Sequence, residues 1–154
     1  MAKKKKIQSN VISNRQARHD YELGDSTIVG IQLTGAETKN LRMGHGQLRG
    51  AYVTMKENEL WLINATIHGT TGISIGESEQ TQARKLLAKK REIKALTAAK
   101  QEGRTIVPLE ILTRGRFIKV RIAIGKGKKQ YDKRQTIKSR DENRNINRLL
   151  KTQH

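Results

Sequence analysis

The sequence predicts an α+β chain: a small, mainly antiparallel β body carrying helices and ending in a strongly basic tail. Three observations predict it. Apolar residues alternate at period two in several stretches, most clearly at 117–124, where Ile118, Val120, Ile122 and Ile124 alternate with Lys119 and Arg121. Two stretches, 34–43 and 78–102, carry capping and helix-spacing patterns instead. Beyond Gly125 the apolar pattern nearly stops: Lys126, Lys128, Lys129, Lys133, Arg134, Lys138, Arg140, Arg144, Arg148 and Lys151 are set against only Asp132, Asp141 and Glu142.

Composition narrows the function. The 154 residues suit one domain with tails, expected as a disordered basic N-terminus at 1–12, a body at 13–130 and a tail at 131–154. With 34% hydrophobic residues the core is modest, which puts function on the surface. A net charge of +18 attracts polyanions, and release of their counterions drives binding. No stretch approaches the roughly 20 apolar residues of a membrane span, and Lys3 to Lys6 lead into no apolar signal segment. A cytoplasmic monomer with no membrane partner is expected, and with no cysteine in the chain disulfide frameworks and thiolate metal sites are excluded. Tyr21, Tyr52, Trp61, Phe117 and Tyr131 are the whole aromatic complement, too few for a surface that stacks successive bases. Backbone and shape recognition of a structured RNA is favoured.

Along the chain, 14–21 reads NRQARHDY, in which Arg15, Arg18 and His19 can face phosphates; a capped turn with His19 paired to Asp20 is equally open. Residues 22–26 read as a turn before a strand at 27–33, where Gly30 marks a bulge or a close backbone approach. Thr34-x-x-Glu37 is a capping box, and Gly44 stops the helix it starts. Lys39 and Arg42 share a face of that helix, either as backbone contacts or as solubilising charge. Strands at 51–55 and 60–67 flank the polar turn 56–59, and the Gly- and Thr-rich stretch 69–76 is the expected mobile loop. From Ser78 or Thr81 to Glu102 a long helical segment is expected, with Ala83, Leu86, Leu87, Ile93 and Leu96 on its core side. Residues 105–112 form a strand that Pro108 places at an edge.

A small barrel of the oligonucleotide-binding type accommodates this order, because closing the sheet hides its edges. In the tail, Asp132-x-x-Gln135 and Ser139-x-x-Glu142 are possible capping boxes. On a helix, Lys133, Arg140, Arg144, Arg148 and Lys151 fall within about 80° of arc, with Ile146, Leu149 and Leu150 turned away. So polar a segment buries too little to order itself, so it is expected to be disordered when free and helical against RNA. Gly125 and Gly127 beside the lysines at its root suit a close approach to phosphate, although a solvated basic terminus is the plainer account.

Four blocks in order, NRQARHDY at 14–21, GAETKNLRMG at 35–44, RKLLAKKREI at 84–93 and KGKKQYDKR at 126–134, resemble the tmRNA-binding small protein B family of bacterial trans-translation. The resemblance covers 14–138 and implies a barrel that binds the tRNA-like domain of tmRNA without a cofactor. It implies a stalled ribosome, with its small-subunit rRNA, and elongation factor Tu as further partners, and a tail that turns helical in the empty messenger channel. Lys119 and Leu87 match family positions tied to tmRNA binding; Lys119 suits a phosphate contact, while Leu87, expected on the long helix, can equally be core. Asp132, Lys133 and Arg134 match the family's tail motif for the ribosomal step, in which Arg134 suits paired bonds to phosphate and Asp132 a helix cap. Two positions depart from the pattern: Ile28 stands where many members carry glutamate, and Gln80-Thr81-Gln82-Ala83 replaces a Pro-Thr-Arg-type entry.

Other classes fit less well. An RNA-processing enzyme lacks support, because Gly125-Lys126-Gly127-Lys128 does not have the spacing that cradles a nucleotide and no serine lies in a nucleophile elbow. His19, His45, His68 and His154 lack zinc spacing, so no metal is expected. A ribosomal protein or another structured-RNA-binding translation factor is the remaining alternative.

Overall fold

A computed structural model describes residues 11–128 and 130–152; the basic run 3–6 and Lys129 lie outside them, as do the side chains of Asp132 and Lys133. The elements follow as β1 (Val11–Ser13), α1 (Arg15–Asp20), β2 (Tyr21–Ile31), α2 (Gly35–Arg42), β3 (Gly46–Gln47), β4 (Tyr52–Lys56), β5 (Glu59–Ile63), β6 (Thr66–Ile67), α3 (Glu77–Gln80), β7 (Arg84–Leu87), α4 (Lys90–Gln101), β8 (Thr105–Leu112), β9 (Lys119–Gly127) and α5 (Gln130–Thr152). Val11 and Ile12 belong to the body through β1, which pairs with β8.

Six strands pair antiparallel in a ring, β8-β4-β5-β7-β2-β9 and back to β8. The ring is thin at one seam, where β4 meets β8 through Val53 and Ile106. This is the small antiparallel barrel that the alternating strands predict, partly open as oligonucleotide-binding barrels are. Its interior is filled by Leu60, Leu62, Ile106, Ile111, Val120 and Ile122, with Leu41 of α2 and Leu96 of α4 packed on the same core. Glu57 and Asn58 both take positive φ, which is the backbone twist that a two-residue hairpin between β4 and β5 requires.

The stretch expected to open the long helix is a strand. In β7 Arg84 and Leu86 point inward while Leu87 is exposed, and the strand pairs with β5 on one side and β2 on the other. Its four residues are too few for period to distinguish strand from helix, and the pairing decides. Within the expected helical segment, helix is confined to the short α3 at its start and to α4, Lys90–Gln101, which is opened by a bond from the Lys89 backbone N–H to the Glu92 carboxylate. The expected turn at 22–26 lies inside β2, whose register with β9 shifts between Leu23 and Ser26.

Pro108 does not sit at an edge. β8 pairs with β9 along its length and also meets β4 and β1, and the proline's missing donor falls where the register shifts between Pro108 and Glu110. One residue is inserted there, so Leu109 and Glu110 both face outward. Leu109 packs with Val107 and Ala123 beneath Ala17 of α1, forming a second, smaller core. The loop 69–76 is tied down by two backbone bonds between Thr70 and Ile73 and by the buried side chain of Asn40, which donates to the Ile73 carbonyl.

Candidate nucleic-acid interface

Gly30 on β2 has Leu87 of β7 as its cross-strand partner on one side and Lys119 of β9 on the other. Direct partners in antiparallel strands share a face, so the three form a row on the outside of the barrel. A Cβ at Gly30 would stand 3.2 Å from the Leu87 Cβ, so the missing side chain keeps the middle of the row flat. Leu87 is 53% exposed and is not a core side chain.

Two residues before Gly30, Ile28 lies on the same face opposite Arg121 and is 46% exposed. The Arg121 guanidinium approaches the Glu110 carboxylate at 3.6 Å, and Arg18 of α1 reaches the other oxygen of that carboxylate at 3.2 Å. The outward turn of Glu110 at the β8 bulge makes this bridge possible. A continuous band therefore runs from Leu87 across three strands to α1.

The position of α1 follows from Asn14, which is buried. Its side chain accepts from the Ala17 N–H at 3.2 Å, capping the helix, and donates to the Pro108 carbonyl at 2.9 Å. Arg15 and Arg18 are thereby held on the exposed side of α1, while His19 bonds Asp20 at 3.1 Å as the local alternative expects. The root of the tail is fastened at the same place: the Lys128 N–H donates to the Asp20 carbonyl at 2.9 Å, and its ammonium lies 3.5 Å from the Arg18 carbonyl.

The expected RNA-contacting residues thus fall in two groups at the ends of β9. Lys119 and Leu87 mark one end, with Arg42 gripping the loop that leads into it and Lys39 on α2; Lys126 and Lys128 mark the other beside Arg15, Arg18 and His19 of α1, from which the Arg18 guanidinium reaches back to Glu110 opposite Arg121. Lys119 and Lys126 are about 23 Å apart along the strand. Arg42 is exposed and has a structural role that neither expectation included: its guanidinium donates to the carbonyls of Thr113 and Gly115 at 3.0 and 2.9 Å and of Arg116 at 3.0 Å. Arg121 and Glu110 are the residues that sequence reasoning missed. Arg121 carries a readable signal, since it shares outward parity with Lys119 on a strand that the alternation predicts.

Under this surface lies a buried ion pair. Arg84, with its side chain 2% exposed, bonds Glu37 and donates to the carbonyls of Ala65, Gln82, Glu79 and Gln80 at 2.8 to 3.1 Å. Glu37 closes the predicted capping box with Thr34 and also accepts from Gln82. The pair fixes α2 against the start of β7, the strand that carries Leu87.

The tail is the 23-residue helix α5, about 35 Å long. Asp132 and Ser139 lie inside it, so neither is its cap. Arg134, Lys138, Arg140, Arg144 and Arg148 are exposed along it. Among the described residues no cluster of three or more His, Asp or Glu side chains suits a metal ion, and no helix is long and apolar enough to cross a membrane.

Comparison with known proteins adds an independent finding. A family model described as SmpB protein matches residues 11–152. The chain is 43% identical over 155 residues to the SsrA-binding protein of Oenococcus oeni, covering all of both chains, and 44% identical over 146 residues to that of Protochlamydia amoebophila, covering 94% and 95%. The SsrA-binding protein of Streptococcus suis is 40% identical over 148 residues, 95% of this chain and 96% of that one. A solved structure described as "tmRNA-SmpB: a journey to the center of the bacterial ribosome" matches with a TM-score of 0.65 and 36% identity, over 79% of this chain and 87% of that chain.

Proposed function

The chain belongs to the SmpB protein family, and on that premise we propose that it binds the tRNA-like domain of tmRNA, delivers it to stalled ribosomes and sets its tail in the empty messenger channel. The nascent chain is then tagged and the ribosome released. The observation that carries the RNA-binding half of this reading is the flat row Leu87, Gly30 and Lys119, continued through Ile28 and Arg121 to Arg18.

The chemistry of that band suits a folded RNA backbone. Lys119 supplies a point charge from a rigid strand, and Leu87 supplies apolar contact for a sugar or base edge. Gly30 between them lets the backbone of the RNA come close. Arg121 and Arg18 share one carboxylate, so the three groups together keep a net positive charge on that face.

The tail performs the second step. α5 leaves the body beside α1, so an RNA held on the barrel and a tail inserted in a groove are fixed relative to each other by Lys128 and α1. Asp132, Lys133 and Arg134 start this segment, with Lys138, Arg140, Arg144 and Arg148 following as phosphate contacts in the decoding region. Disorder of the free tail and its folding on the ribosome belong to this proposal, as do elongation factor Tu as delivery partner, action in the cytoplasm and action without catalysis of its own.

Copurification tests this function against that of a constitutive ribosomal protein. Tagged protein should enrich tmRNA and stalled complexes; uniform recovery with all ribosomes and no enrichment of tmRNA contradicts the proposal.

A further inference from the structure

Between buried Thr113 and buried Ile118 the chain turns through Arg114, Gly115, Arg116 and Phe117, all exposed. Phe117 is 68% exposed, the most exposed of the large apolar side chains of the body. A single exposed ring is ordinary on a protein surface. Here three further observations bear on it.

The loop that presents the ring is held from outside itself. Arg42 at the end of α2 donates to three carbonyls of the loop, those of Thr113, Gly115 and Arg116, and α2 is in turn anchored by the buried Glu37–Arg84 pair. Gly115 takes φ +94°, a conformation that strains residues with a side chain, so the turn is built for this shape. The ring is also dressed with charge: the Arg116 guanidinium lies over it at 5.4 Å from the centroid, and exposed Arg114 and Lys119 stand three residues before it and two after it in the chain. Finally, the ring continues the interface. Phe117, Lys119 and Arg121 share outward parity because Ile118 and Val120 between them are buried.

From this rigid, cation-flanked ring at the end of the RNA-binding band, we infer that Phe117 is a stacking site for one unpaired base of a structured RNA, with Arg42 as the positioning residue that holds its loop. A base stacks on the ring while Arg114, Arg116 and Lys119 neutralise the phosphates on either side of it. The cations favour RNA over a protein partner. The site deepens the RNA-binding reading of the same face and rests on it.

The test is binding of the full chain to the tRNA-like domain of tmRNA and to an unrelated RNA hairpin of equal length with an unpaired loop. Phe117→Ala should lose about tenfold in affinity, while Phe117→Trp should retain it and show emission quenched by RNA beyond that of Trp61 in the wild type. Arg42→Ala should lose about as much as Phe117→Ala, and the double variant no more than either; additive losses would show that Arg42 touches RNA directly and overturn its positioning role. Unchanged affinity of Phe117→Ala, together with no added quenching in the Phe117→Trp variant, overturns the stacking site and leaves the ring to a protein contact. If the wild type binds both RNAs alike while Phe117→Ala weakens both, the stacking site stands and the preference for the tRNA-like domain falls.

Discussion

Leu87 and Lys119 stand on either side of Gly30, each its direct partner on a different neighbouring strand, so an apolar side chain and a cation come together across a residue with no side chain. Thirty-two positions of sequence separate the two. Only closure of β7 and β9 onto β2 brings them into one row, so the surface proposed to meet RNA exists only in the closed barrel.

Leu87→Ala separates binding from stability. The side chain is half in solvent, so its loss should change the unfolding free energy by no more than about 0.5 kcal/mol while weakening binding to the tRNA-like domain several-fold. Urea unfolding and a binding titration measure the two. A stability loss of core size, about 2 to 5 kcal/mol, would return Leu87 to the interior.

Lys119→Ala should weaken binding to every RNA by a similar factor and reduce the magnitude of the log-affinity against log-salt slope by about 1, as the loss of one phosphate contact does. Titrations at several salt concentrations read the slope directly. An unchanged slope would mean that Lys119 meets no phosphate.

Arg84→Ala leaves the buried Glu37 carboxylate without its cation, with only the Thr34 N–H and Gln82 bonds remaining, which should cost about 3 to 5 kcal/mol in urea unfolding. Replacing Arg84 and Glu37 together by apolar residues of similar volume should cost less than Arg84→Ala alone. A double replacement as damaging as the single one would show that the carbonyl bonds of Arg84, rather than its charge partner, hold β7.

Replacing Asp132, Lys133 and Arg134 by alanine should leave affinity for tmRNA nearly intact and abolish tagging of stalled nascent chains. The body's band is untouched by these changes. Parallel loss of both activities in binding and tagging assays would end the division of labour between barrel and tail.

A local signal survives in the structure where no distant partner overrides it, and long-range relationships are hidden from the sequence. Thr34 and Glu37 are three residues apart, so their capping box is legible; the second partner of Glu37, Arg84, is 47 residues away and is not. The run 84–87 reads as the start of a helix because its apolar residues also suit a helical stripe, and only pairing with Leu60 and Ile31 makes it a strand. Pro108 reads as an edge because a proline lacks the N–H a central strand needs, and only the bulge opposite β9, set by strands far away in sequence, lets it sit inside the sheet. Lys119 is recognisable through family resemblance, whereas the importance of Arg121 lies in Glu110, turned outward by a bulge no pattern announces. Arg42 reads as a free cation because the carbonyls it grips come from a loop more than 70 residues later.

The central claim, that this surface reads the shape of a tRNA-like RNA rather than charge alone, is tested most directly by binding to the tRNA-like domain of tmRNA beside a plain duplex of equal length across a salt series. Both affinities should fall with salt, and the account predicts a large preference for the tRNA-like domain that persists at moderate salt. Equal affinities that fall in parallel would contradict it, leaving only the net charge of +18 to explain the binding.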